Sequence, residues 1–256
     1  MLGKVLVVLA GISLTASMSG AEVDPLCAKY GSEHTTCFPA KNCATDANGG
    51  PCGVTEDEKV FIVKYHNEYR QKVAKGQETR GSPGPQPAGK NIRELSWNDD
   101  LARTAQRWAE QFVLGHDCKK CNIVPDYSVG QNLYLEANSA TIEKANWQKA
   151  IDSWTNEAEK MDGSNLKGNW KVVGHYTQVV WHNTRHVGCG AFGNNEKCSW
   201  VNKTNPSWGL LNCVKYICNY GPSGNMLDKN HELPPPYSTT EGCVKPSTNY
   251  PGLCAE

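Results

Sequence analysis

Cys118 and Cys121 form a Cys-x-x-Cys, the one cysteine pair in the chain with zinc-ligand spacing. In a secreted chain disulfide bonding is the stronger expectation for it, with partners that spacing alone does not choose. His182 and His186 sit four apart, a spacing that chelates a metal on a helix. Asn183-Thr184-Arg185 between them reads as a turn before a strand, so both are expected as surface histidines. Gly188-Cys189-Gly190-Ala191-Phe192-Gly193 matches G-x-G-x-x-G, but Asn194 to Cys198 carries no apolar helical stripe. A dinucleotide site needs a helix there, so that reading is excluded. The chain has no G-x-S-x-G, no H-E-x-x-H and no P-loop. Asn202-Lys203-Thr204 is an N-glycosylation sequon on an expected loop, whereas Asn205-Pro206-Ser207 is barred by its proline.

These residues need elements to position them. Thr55 and Glu58 form a capping box, and Ile62, His66, Tyr69 and Val73 follow at helical spacing up to a stop at Gly76. His66 lies on the apolar face of this helix and is expected as a buried, hydrogen-bonded core residue. Three prolines keep the following loop, through Gly89, from forming regular helix. Asn98 caps a second helix with Leu101, Ala105, Trp108 and Phe112 on one face and Gly115 at its end. A third is expected over 140–161, with Trp147, Ile151, Trp154, Ala158 and Met161 inward. The period then changes to two. Val187, Cys189 and Ala191 alternate with glycines, and Val214, Tyr216, Cys218 and Tyr220 alternate with Lys215, Ile217 and Asn219. Two strands joined by a long loop over 193–212 are expected. Cys189 and Cys218 can bond only if their Cα atoms lie within about 7 Å. Helices interleaved with strands read as one α+β domain.

Composition sets the compartment. Lys plus Arg is 26 and Asp plus Glu is 26, a balance that excludes a dedicated nucleic-acid binder and a polybasic membrane-surface protein. Met1 to Ala21 reads as a secretory signal, with Lys4, an apolar run over Val5–Leu14, and Ser19 and Ala21 before the cleavage point. That run is too short to span a bilayer, and no other stretch approaches about 18 apolar residues, so no integral membrane segment is expected. All twelve cysteines lie beyond the signal, an even number suited to an oxidising compartment. The expected organisation is a signal at 1–21, a Cys-rich N-terminal segment at 22–53, a main domain at 54–227, and a polar extension at 228–256. Cys243 and Cys254 would close one loop in that extension, and Cys198 and Cys213 are further candidates for disulfides. The pairing of Cys27, Cys37, Cys43, Cys52, Cys118 and Cys121 is left open by spacing.

Gly174-His175-Tyr176-Thr177-Gln178-Val179-Val180-Trp181 and Tyr216-Ile217-Cys218-Asn219-Tyr220-Gly221-Pro222-Ser223-Gly224-Asn225 resemble the two signature motifs of the CAP superfamily. That superfamily comprises cysteine-rich secretory proteins, antigen five and pathogenesis-related proteins. Gly130-Gln131-Asn132-Leu133 and His66-Asn67-Glu68-Tyr69-Arg70 match its two shorter motifs. The proline loop, from Glu78-Thr79-Arg80-Gly81 to Pro83-Gly84-Pro85-Gln86-Pro87, looks most like arthropod venom antigen five proteins. The resemblance covers roughly 27–226. It implies a disulfide-stapled three-layer α-β-α sandwich, here with a short Cys-containing tail, and a Cys189–Cys218 disulfide. Antigen five proteins have a cysteine where this chain has Phe112, so their N-terminal pairing cannot be copied whole.

The resemblance also implies a shallow cleft of two histidines and two glutamates. They carry over to His116, His175 and Glu157, while the fourth position is Gln131, a departure from the pattern. Two imidazoles and a carboxylate suit a Zn²⁺ ion with water in the fourth place. Gln131 removes one negative charge and one candidate base, weakening both metal affinity and acid–base catalysis. The alternatives are a weak zinc site and a metal-free polar cluster. The expected function is therefore a secreted, non-catalytic, allergen-like venom or salivary protein, a monomer that binds a small lipid or a host protein. A metal-assisted hydrolase using His116, Glu157 and His175 is the alternative reading. An ion-channel blocker is a second alternative. Related reptile venom proteins carry a Cys-dense C-terminal module, and here only Cys243 and Cys254 follow Cys218.

Overall fold

The computed structural model describes residues 23–195 and 211–255. The expected signal at 1–21, the sequon at Asn202 and Cys198 lie outside these residues. Two short helices, α1 (Pro25–Tyr30) and α2 (Cys43–Asp46), open the chain. They are followed by α3 (Glu56–Ala74), β1 (Ser96–Trp97), α4 (Asp99–Glu110), β2 (Gly130–Asn138), α5 (Trp147–Thr155), α6 (Trp170–Val180), β3 (His186–Asn194) and β4 (Asn212–Gly221). The strands form one sheet in the order β1-β3-β4-β2, with β4 antiparallel to both neighbours and β1 parallel to β3.

Alternation along β4 divides the molecule into three layers. Val214, Tyr216, Cys218 and Tyr220 point into a core shared with Ile62 of α3, Trp154 of α5 and Tyr176 and Val179 of α6. The opposite face carries Ile217, which packs with Phe192 against Ala105, Trp108 and Ala109 of α4. Both sheet faces are therefore covered, and every residue from Cys213 to Gly221 is buried. The result is the expected three-layer α-β-α sandwich.

The glycines of β3 set the spacing of one layer. A Cβ on Gly188 would lie 2.3 Å from the Ala102 backbone nitrogen, and one on Gly190 would lie 2.3 Å from Gln106 Cα. The literal dinucleotide pattern thus serves to let α4 lie directly on the strand. Cys189 and Cys218 are direct cross-strand partners with Cα atoms 4.1 Å apart, and their sulfurs are joined.

Helix starts follow their caps. Thr55 and Glu58 form the reciprocal capping box, and the Asn98 side chain accepts the Leu101 N–H at 2.9 Å. The second helix ends at Glu110, short of Gly115. The third begins at Trp147, later than expected, because Asn146 caps it through the Lys149 N–H, and it tightens into a 3-10 turn over Asn156–Lys160. The 22–53 segment is stapled by Cys27–Cys37 and Cys43–Cys52. Cys118 is joined to Cys121 and Cys243 to Cys254, and Cys213 is also disulfide-bonded. Residues beyond 228 are not a free tail. Leu233, Tyr237 and Leu253 enter the main core, and Cys254 exchanges backbone hydrogen bonds with Ile92 and Glu94.

Candidate functional site

The four cleft residues come from four separate segments, and the sheet brings them together. Glu157 sits in the 3-10 turn after α5. That helix is tied to β2 by the Trp154 indole N–H, which donates to Leu133 O at 2.9 Å. His175 lies in α6, held to the same strand by Asn132, whose amide donates to His175 O at 3.1 Å. Gln131 is the second residue of β2 and pairs in register with Asn219 of β4. His116 follows α4 through Gly115, which adopts φ 104° and accepts the Trp108 indole N–H at 3.1 Å.

Glu157 accepts three hydrogen bonds within the cleft. Its Oε1 lies 2.7 Å from His175 Nδ1, and its Oε2 accepts the N–H groups of His175 (2.9 Å) and Tyr176 (3.2 Å). An ionised carboxylate only accepts, so Nδ1 carries the proton and the Nε2 lone pair of His175 is left for another partner. Gln131 does the same for the other ring. Its Oε1 accepts the Asp117 N–H at 3.0 Å and lies 3.3 Å from His116 Nδ1, while its Nε2 donates to Asn219 Oδ1 at 2.9 Å. Asn219 in turn donates to Leu101 O at 3.2 Å, which fixes the direction of the chain. His116 Nδ1 is then the donor, and its Nε2 also offers a lone pair.

Two residues that sequence reasoning left without a role stand behind the cleft. Lys215 is buried, with Nζ 2.6 Å from Val113 O, 3.3 Å from Trp108 O and 4.7 Å from the Trp108 ring centre. It supplies the positive charge that the C-terminal carbonyls of α4 favour. Burial lowers its pKa to about 8 against the opposing pull of Asp117. Its signal in the sequence was a lysine inside a run apolar on both faces. Asp117 is the other, with Oδ1 accepting the Cys118 N–H at 2.8 Å and Oδ2 the Thr35 hydroxyl at 2.5 Å. Desolvation lowers the His116 pKa. The Gln131 bond opposes this, and His175 and Lys215 add to the lowering.

The remaining candidates separate from the cleft. Cys118 and Cys121 are bonded to each other, so neither offers a thiolate to zinc. His182 is half-buried with Nδ1 3.2 Å from Pro236 O, and His186 lies on β3 with Nδ1 2.9 Å from Ser96 Oγ, so they share no helix face. His66 is fully buried, between Ile62 O (2.8 Å) and Tyr220 OH (2.9 Å). An open groove of about 440 Å³ lies elsewhere, lined by Tyr65, Glu68, Tyr69 and Lys72 of α3 and by Arg80 and Asp152. Its floor is a polar network in which Glu78 accepts from Tyr69, Lys72 and Arg80 at 2.7–3.0 Å. Among the described residues no helix is long and apolar enough to cross a membrane.

The family model for the cysteine-rich secretory protein family, CAP, matches residues 63–220. Venom allergen 5.02 of Dolichovespula maculata is 43% identical over 180 residues, covering 69% of this chain and 77% of its own. Venom allergen 5 of Polistes dominula is 43% identical over 203 residues, with 76% and 82% covered. Among solved structures, NaASP2 with Zn²⁺ aligns with a TM-score of 0.61 at 26% identity, over 79% of this chain and 97% of that one. BmVAL-1 aligns at 0.62 and 28% identity, over 81% and 97%.

Proposed function

The chain belongs to the cysteine-rich secretory protein family, CAP, and from that premise we propose that it is a secreted, venom-allergen-like protein acting by binding and not by turnover. The observation that carries this reading is the state of the two cleft positions where the family has carboxylates. Both oxygens of Glu157 are taken by His175 and Tyr176, and Gln131 is an amide held by Asp117 and Asn219. Gln131 is neutral and takes no proton, and Glu157 already accepts three N–H groups, so the paired free carboxylates are absent and only the two imidazole Nε2 atoms remain as proton acceptors.

The second part of the proposal is a weak divalent cation. His116 and His175 would hold it through Nε2, with Gln131 and Glu157 orienting the rings from behind. A zinc ion there would supply Lewis acidity. Two neutral ligands and the nearby Lys215 ammonium leave little negative charge to retain it. The relative NaASP2, solved with Zn²⁺, supports testing that metal first. For the partner, the charged and hydroxyl lining of the α3 groove fits a polar protein surface better than an acyl chain. The protein would act as a monomer in venom or saliva.

The test is native mass spectrometry of the secreted protein before and after chelation, run beside peptide, ester and glycoside hydrolysis assays with added Zn²⁺. The expected result is no turnover above that of His175→Ala, and a small mass lost with chelator. Turnover abolished by both chelator and His175→Ala would overturn the binding reading. A bound lipid-sized mass insensitive to chelator would replace the protein partner with a lipid.

A further inference from the structure

We propose that the Cys118–Cys121 disulfide is a thiol–disulfide exchange site for anionic low-molecular-weight thiols, opened at Cys118 and assisted by Lys119 and Lys120. Four features of the loop support this.

The first is ring size. The sequence separation is 3, against 9, 10, 11 and 29 for the other disulfides with both cysteines among the described residues. A crosslink restrains the unfolded chain less as its loop shortens, so this one contributes least to the fold and can open without unfolding it. The second is access. Cys118, Lys119 and Lys120 are exposed and Cys121 is half-buried, an exposure shared by Cys43 and Cys52, whose loop is three times longer, whereas Cys189 and Cys218 are both buried. Exposed disulfides are the ones that exchange.

The third is charge. Two lysines lie between the sulfurs in sequence, and a cation beside a cysteine favours its thiolate, both as leaving group and as re-forming nucleophile. They also draw in a thiol that carries carboxylates. The fourth is that the backbone holds its shape independently of the S–S bond. The Cys121 N–H donates to Cys118 O at 2.9 Å, the Thr35 N–H donates to Cys121 O at 2.7 Å, and Asp117 bonds Thr35 and the Cys118 N–H. The two sulfurs would stay adjacent after reduction.

The chemistry balances as ordinary exchange. An external thiolate attacks Cys118 Sγ, forming a mixed disulfide as the Cys118–Cys121 bond breaks. The electron pair leaves on Cys121 Sγ, which takes a proton from water. A second thiolate attacks the external sulfur of the mixed disulfide, and Cys118 leaves as a thiolate that is protonated in turn. The protein disulfide has gained two electrons, and the two thiols have been oxidised to one disulfide.

The experiment treats the intact secreted protein with graded reduced glutathione at neutral pH, followed by acid quench, maleimide labelling and peptide mass spectrometry. Circular dichroism is recorded on the same samples. Cys118 and Cys121 should be labelled at a glutathione concentration about tenfold below that needed for any other pair, with the far-ultraviolet spectrum unchanged. Labelling together with or after the other pairs, or only with loss of the spectrum, overturns the proposal. Lys119→Gln with Lys120→Gln, which touches no buried group, should slow reduction by glutathione several-fold. It should slow reduction by uncharged mercaptoethanol less. Equal rates for the variant and the parent with glutathione overturn the proposal as well.

Discussion

His175 Nδ1 lies 2.7 Å from Glu157 Oε1, and the other oxygen of that carboxylate accepts the His175 backbone N–H at 2.9 Å. The carboxylate therefore holds both the ring and the turn of helix that bears it. Glu157→Gln should keep one acceptor but lose the charge-assisted bond to Nδ1. Zinc affinity, measured by calorimetric titration, should fall about 10–100-fold, the usual cost of losing an outer-shell carboxylate. The same variant should unfold at a lower urea concentration, by about 1.5–3 kcal/mol for a hydrogen bond to a charged group. Unchanged zinc binding would show that Glu157 does not orient a ligand.

Gln131→Glu tests the other half of the cleft. A carboxylate can still accept the Asp117 N–H, and it would make a charge-assisted bond to His116 Nδ1. Asn219 Oδ1 would lose its donor. The added charge should tighten zinc binding about tenfold in the same titration. No zinc binding by either protein would mean that the cleft is a hydrogen-bonded polar cluster, and equal measurable affinity would mean that zinc binds away from Gln131.

Much of this was legible in the sequence, and the limits were physical. The capping box at Thr55, the cap at Asn98 and the alternation along 214–220 are local signals, and each marked the element it should. Helix α6 was visible only as a motif, because polar Thr177 and Gln178 are buried among its apolar positions Val173, Tyr176, Val179 and Val180. Strand β2 was missed although Asn132 to Asn138 alternates polar with apolar residues, because Asn132 and Glu136 on its polar side are buried against specific partners that spacing does not show. The identity of the cleft residues came from resemblance, since they converge from four segments that no single spacing connects. That Glu157 is spent on orienting His175 depends on side-chain direction, which spacing does not encode.

Arg70 exemplifies a residue whose role only packing reveals. It is fully buried, and its guanidinium donates to the carbonyls of Arg93 and Val179 at 2.7 Å, Thr184 at 2.9 Å and Trp181 at 3.1 Å. It thus ties α3 to the segment after α6, and burial pulls its pKa down to about 9. Arg70→Met would take the guanidinium from all four carbonyls, of which Trp181 O keeps the Thr184 N–H at 3.3 Å. Urea denaturation should show a loss of at least about 3 kcal/mol. A loss below about 1 kcal/mol would mean that water replaces the guanidinium.

His66 makes acid sensitivity a prediction with a definite sign. Burial lowers its pKa from 6.5 to about 4, against the Ile62 carbonyl bond, which raises it, and Arg70 adds to the lowering. Between pH 6.5 and 4 the unfolded chain therefore binds a proton at this site that the folded chain does not. Stability from this residue is complete above pH 6.5 and is lost on acidification toward pH 4. The slope is at most about 1.4 kcal/mol per pH unit. His66→Gln keeps a donor and an acceptor but cannot titrate. Urea midpoints taken at half-unit steps should fall more steeply over this window for the parent than for His66→Gln, even if the variant is less stable throughout. Parallel curves would show that folded His66 takes up its proton together with the unfolded chain, with Nδ1 donating to Ile62 O and Nε2 donating to Tyr220 OH.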